Sequence, residues 1–152
     1  MTMVVRSLDR LTALYERDET AWLEAMAGLI RDRHLGELDY ENLGEYLADM
    51  ARRDRREVES RLAVLIAHLL KWGHRPRRRS GSWRATIEVQ RQELVRLLES
   101  GTLRNHAEAV LRRVYADGVR QAAAETSLPV STFPPECPYT LDQLEGFDLL
   151  AE

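Results

Sequence analysis

Residues 58–72, VESRLAVLIAHLLKW, constrain this chain more than any other stretch. On a helix, Leu62, Leu65, Ile66 and Leu69 line one face, while Val64, Ala67 and Leu70 cover most of the others. A helix apolar on nearly every side belongs inside a protein, so the rest of the chain must supply neighbours that wrap it. Directly after it, Gly73 and Pro76 end the helix, a run of arginines follows, and Ser80, Ser82 and Trp83 restart a helical pattern. That is how a turn between two packed helices reads.

Periodicity supplies the neighbours. A first amphipathic helix starts at Asp18, a good N-cap with Glu19 in the first turn, and runs to about Leu35, where Gly36 provides a left-handed stop. Its apolar face is Trp22, Ala25, Met26, Leu29 and Ile30. Residues 1–14 are expected to be loosely ordered, with at most a turn or short helix before it. Asp39 opens a second helix by accepting from backbone N–H groups, with Leu38 and Leu43 as its hydrophobic staple. No Gly or Pro interrupts 45–72, yet 51–60, ARRDRREVES, is polar on every face. One helix over 40–72 whose middle passes through solvent or bends is expected, with two separate helices as the competing reading.

A third helix begins at Ser82 or just before it and carries Trp83, Ile87, Gln90, Leu94 and Leu97 as a seam, stopping near Ser100 and Gly101. A fourth, over 103–126, repeats the seam with Leu103, Ala107, Val110, Val114 and Gly118. Its small residues Gly118, Ala122, Ala123 and Ala124 admit a close neighbour. Pro129, Pro134, Pro135 and Pro138 then favour an extended path, and Thr140 with Gln143 forms a capping box, stapled by Tyr139 and Leu144, for a short last helix. No stretch alternates as a strand would. The expected fold is all-α: an antiparallel bundle of about four long helices in one domain, with 128–152 packed across it through Phe133, Cys137, Tyr139, Phe147, Leu149 and Leu150.

A chain of 152 residues can bury a self-supporting core, and its single cysteine excludes an internal disulfide framework. The start MTMVVRSLDR lacks the apolar core of a signal peptide, and the apolar run 62–70 falls far short of the ~20 residues that span a bilayer. A cytoplasmic protein without a membrane partner is expected. The net charge of −3 does not mark the whole molecule as a polyanion binder. Its distribution says more: between Ser60 and Ile87 there are seven cations and no acid, whereas from Glu136 onward Asp142, Glu145, Asp148 and Glu152 occur with no Lys or Arg.

Chemistry-bearing motifs are sparse. His34, His68, His74 and His106 have no metal-ligand spacing, so no metal or cofactor is expected, and His68 reads as a hydrogen-bonded structural residue. Cys137 has no neighbouring cation to activate it and reads as an inert pin for the tail. Ser80 and Ser82 read as helix caps, and no glycine-rich phosphate loop is present. No catalytic residue is assigned, and the reading leans away from an enzyme. The sharper candidate is the basic turn: Lys71, His74, Arg75, Arg77, Arg78 and Arg84, flanked by Trp72 and Trp83, mix cations with stacking surfaces as nucleic-acid contacts do. Arg79, and with it Arg75, is expected to serve helix-end carbonyls or to pair with the acidic tail, leaving Arg77 and Arg78 free at the tip.

Taken together, LDYENL at 38–43, SRLAVLIAHLLKW at 60–72, RSGSW at 79–83, TIEVQR at 86–91, ETSL at 125–128 and FPPECPYTLDQL at 133–144 resemble the bacterial family known as domain of unknown function 29, from about Tyr15 to the C-terminus. The resemblance implies an all-helical cytoplasmic protein and brings no established activity, cofactor or catalytic residues. The family tends to have Gln where this chain has Met26, and two acidic residues where this chain has Glu45 and Tyr46. The leading functional expectation is a helical module that binds another protein or itself, followed by nucleic-acid binding through 71–84, and then an enzyme of unrecognised type.

Overall fold

The computed structural model describes residues 2–146, with side chains from residue 7 onward; Phe147, Leu149 and Leu150, expected on the bundle, lie outside that range. The fold is all-α, and there is no strand among the described residues. Contacts cluster into two compact units, Met1–Arg52 and Arg53–Glu152, a finer division than the one domain expected from length.

In the first unit, α1 (Thr2–Arg17) includes nearly all of the segment expected to be loosely ordered. The correction has a packing reason, since Leu11, Leu14 and Tyr15 lie against a core of Trp22, Met26 and Leu38. Asp18 caps α2 (Glu19–Arg31), its carboxylate accepting from the Ala21 amide at 3.1 Å. This helix ends at Arg31, short of the expected Leu35, and Ile30 is exposed. The left-handed residue is Arg33, at φ 63°, and Gly36 has no positive φ. Arg33 donates to the Ile30 carbonyl at 3.1 Å and His34 to that of Leu29 at 2.8 Å, so two helix-end acceptors are satisfied there, before any glycine is reached. Asp39 is buried, and its Oδ2 accepts from Trp22 Nε1 (3.2 Å) and Asn42 Nδ2 (2.8 Å) in place of the backbone groups expected. Trp22 also meets Tyr15 edge-on at 4.7 Å.

One unbroken helix, α3 (Tyr40–His74), carries the chain from the first unit into the second. Its polar stretch coincides with the division between them. In the second unit, Val58, Leu62, Leu65, Ile66, Leu69 and Leu70 are buried, as an all-round apolar helix requires. They pack with α4 (Gly81–Leu97), α5 (Gly101–Thr126) and α6 (Leu141–Gly146) through Ile87, Leu94, Val114, Ala122, Leu141 and Leu144. Ser80 caps α4 by accepting from the Trp83 amide at 3.1 Å, while Ser82 lies inside the helix, exposed, and is not a cap. Ser100 caps α5 in the same way, and Thr140 and Gln143 exchange both bonds of the capping box, at 2.9 and 3.2 Å. The close approach expected of α5 occurs at Gly118, where a Cβ would stand 2.8 Å from Ile66 Cγ2; Ala124 is exposed and takes no part.

Candidate interaction site

The end of α3 leaves carbonyls without helical partners, and some of the cations beside it serve helix-end carbonyls. Arg79 Nε donates to the Trp72 carbonyl at 2.9 Å, with its guanidinium 4.8 Å from the centroid of the buried Trp72 ring, and Arg84 lies 5.7 Å from that centroid. Arg75 Nη2 donates to the Thr126 carbonyl at the end of α5, at 3.0 Å. His74 donates through Nδ1 to the Leu70 carbonyl at 2.9 Å, and its ring meets Phe133 edge-on at 4.8 Å.

Lys71 departs furthest from expectation. Placed by sequence on an external binding surface, it is only 5% exposed. Its ammonium donates to Glu125 Oε2 at 2.5 Å, stands 3.5 Å from His68 Nε2, and lies 5.0 Å from the Trp83 centroid. The Glu125 carboxylate compensates the buried ammonium. His68 Nδ1 faces the Val64 carbonyl at 2.9 Å and so carries the proton, which leaves Nε2 as an acceptor towards Lys71. Burial lowers the His68 pKa and the Lys71 charge lowers it further, against the opposing Val64 bond. The hydrogen bond from Lys71 holds the Glu125 carboxyl below the usual carboxylate range.

Two described acids of the tail, Asp142 and Glu145, both accept from Arg104 of α5, at 2.7 Å each, while Asp148 and Glu152 lie outside the described residues. Of the predicted surface, Lys71, His74 and Arg75 are committed internally, and only Arg77, Arg78 and Arg84 are exposed. Arg77 and Arg78, in a short 3-10 turn, have no side-chain partner among the described residues.

A groove that sequence reasoning missed lies along α5. It has a volume of about 930 Å³ and runs between Leu111, Tyr115 and Val119 on the helix and Val130, Phe133 and Tyr139 on the extended segment. The i, i+4, i+8 spacing of the α5 residues was the available signal, but only coordinates show that a second wall stands off from it. Tyr115 donates its hydroxyl to the Pro134 carbonyl at 2.5 Å, which ties that wall to the helix. Burial raises the Tyr115 pKa, with the nearby Cys137 adding to it. Cys137, half-buried on the groove wall, donates Sγ–H to the Tyr139 carbonyl at 3.4 Å, and burial pushes its thiol pKa up. The groove therefore offers apolar surface and no activated nucleophile. Of its two arginines, Arg120 pairs with Asp117, whereas Arg112 is exposed with no side-chain partner among the described residues.

No cluster of three or more metal-ligating side chains occurs among the described residues, and no described helix is long and apolar enough to cross a membrane. The family model described as Domain of unknown function DUF29 matches residues 14–148. No curated protein and no solved structure matches the chain.

Proposed function

Because the chain belongs to the DUF29 family, whose description assigns no activity, we propose from the site alone that it is a non-enzymatic helical interaction module that docks a partner protein in the α5 groove. The observation that carries this reading is the groove itself: Leu111, Ala116, Val130 and Pro135 set among Arg112, Ser131 and Glu136, with Arg112 uncommitted and no group activated for chemistry. A concave groove that mixes partly exposed apolar side chains with polar ones is where proteins meet partners. The partner chemistry that fits is a segment with apolar side chains for Leu111 and Val130 and a carboxylate for Arg112. A cytoplasmic setting is part of the proposal, supported by a lone unpaired cysteine. Self-association through the same groove is the homotypic form of this reading. Nucleic-acid binding is the second reading, favoured by exposed Arg77 and Arg78, although three of the predicted contacts are spent inside the fold.

A nuclease-treated affinity capture from the protein's own cells separates these readings. Wild type is compared with Val130→Glu, which charges the groove, and with the Arg77→Glu/Arg78→Glu pair. The proposal expects a nuclease-resistant partner lost only in Val130→Glu. Capture that vanishes with nuclease and in the double arginine variant, while surviving Val130→Glu, would sink it in favour of nucleic acid.

A further inference from the structure

The last turns of α3 fasten both the end of α5 and the chain that leaves it. Lys71 holds Glu125, Arg75 holds the Thr126 carbonyl, and His74 abuts Phe133 in the far wall of the groove. Within α5, Thr126 Oγ1 donates to the Ala122 carbonyl and accepts from the Leu128 amide, so the exit of the helix is bonded to its last turn. Resting on the groove reading above, we infer that His68 is a proton-operated release for that wall. When Nε2 takes a proton, it stops accepting from Lys71 and becomes a second cation against it, so the last turn of α5 loosens and residues 128–139 swing away from the helix.

The geometry makes Nε2 the titrating atom, since Nδ1 already carries a proton towards Val64. From α3 the group faces Lys71; from α5 it faces Glu125; α4 contributes only the uncharged Trp83 ring, over Lys71. Protonated His68 competes with Lys71 for Glu125, whose Oε1 is already held by Gln121 at 3.3 Å. Burial opposes the imidazolium, so the closed form takes up its proton below the ordinary value of 6.5, at which the opened form titrates. The proton-linked part of closure is therefore fully present above 6.5 and declines as pH falls from there through the lowered value of the closed form. At about pH 5.5, one unit below, the opening equilibrium rises by at most about tenfold.

The test is amide hydrogen exchange on the unliganded chain at pH 7.5 and 5.5, read as protection factors so that intrinsic exchange cancels. Amides of 122–133 are expected to lose up to about tenfold of protection, while those of 62–66 hold. His68→Gln, which keeps a polar amide but cannot be protonated, should abolish the change, and His74→Gln should leave it intact. Lys71→Met, which removes the opposing cation, should blunt it if His68→Gln fails to fold. A flat wild-type profile, or a response that survives His68→Gln or disappears in His74→Gln, overturns the inference. No partner enters this measurement, so its failure is distinct from failure of the docking reading.

Discussion

Gly118→Ala places one methyl group where α5 meets α3. The added Cβ would lie 2.8 Å from Ile66 Cγ2, 3.1 Å from Ile66 Cβ and 3.3 Å from the Ala63 carbonyl oxygen. In a helix the exchange by itself favours alanine by about 1 kcal/mol. Overpacking a filled core costs about 1–3 kcal/mol. The upper part of that range applies, because Ile66 is β-branched and held in one rotamer on a buried helix, and the third atom is backbone. The net expectation is destabilisation by about 1–2 kcal/mol, a fall in Tm of about 5–10 °C for a unit of this size. Gly73→Ala is the control: its new methyl would have nothing within 4 Å and would lie in α3, so it should stabilise by about 0.5 kcal/mol. Thermal and urea unfolding followed by circular dichroism measures both. In an Ile66→Ala background, Gly118→Ala should lose most of its penalty. A Gly118→Ala protein as stable as wild type, or a penalty unchanged by Ile66→Ala, would refute the close-contact argument.

Glu59 accepts from Arg113, and chiefly through that hydrogen bond its carboxyl pKa is lowered from 4.5. Its contribution is present above 4.5 and is lost as pH falls through the lowered folded value, so Glu59→Gln should flatten the acid limb of a Tm-versus-pH curve below about 4.5. Arg113 is largely exposed, which keeps the effect small. The Cys137 thiol, with its pKa raised by burial, should react with a thiol reagent at neutral pH several-fold more slowly in the folded chain than in denaturant; equal rates would contradict its placement. Arg77→Glu with Arg78→Glu should leave stability within about 0.5 kcal/mol of wild type, because neither side chain has a partner to lose among the described residues.

The sequence by itself determined what depends on near neighbours. Leu62, Leu65, Ile66, Ala67, Leu69 and Leu70 put apolar side chains on most faces of one helix and so had to be buried, whatever surrounds them. Asp18, Ser80 and the Thr140–Gln143 box cap helices through bonds three residues long, which spacing alone specifies. Gly118 marked a close approach because no other residue lacks a Cβ. Even locally there were limits: α1 has no strong cap signal and depends on packing against Trp22 and Met26, while the end of α2 was settled by carbonyls finding donors at Arg33 and His34, not by where a glycine stood.

Tertiary structure alone decided the fate of the charges and the presence of the groove. A lysine at a helix end can reach into solvent or turn inward; Lys71 turns inward because Glu125, 54 residues away in the chain, is brought to it. Among the described residues, the tail acids Asp142 and Glu145 meet Arg104, 38 and 41 residues away in the chain, a pairing that charge composition did not single out. Coulombic pairing follows distance in space, and a groove exists only between walls that the chain has already brought together, so neither is written in any local pattern.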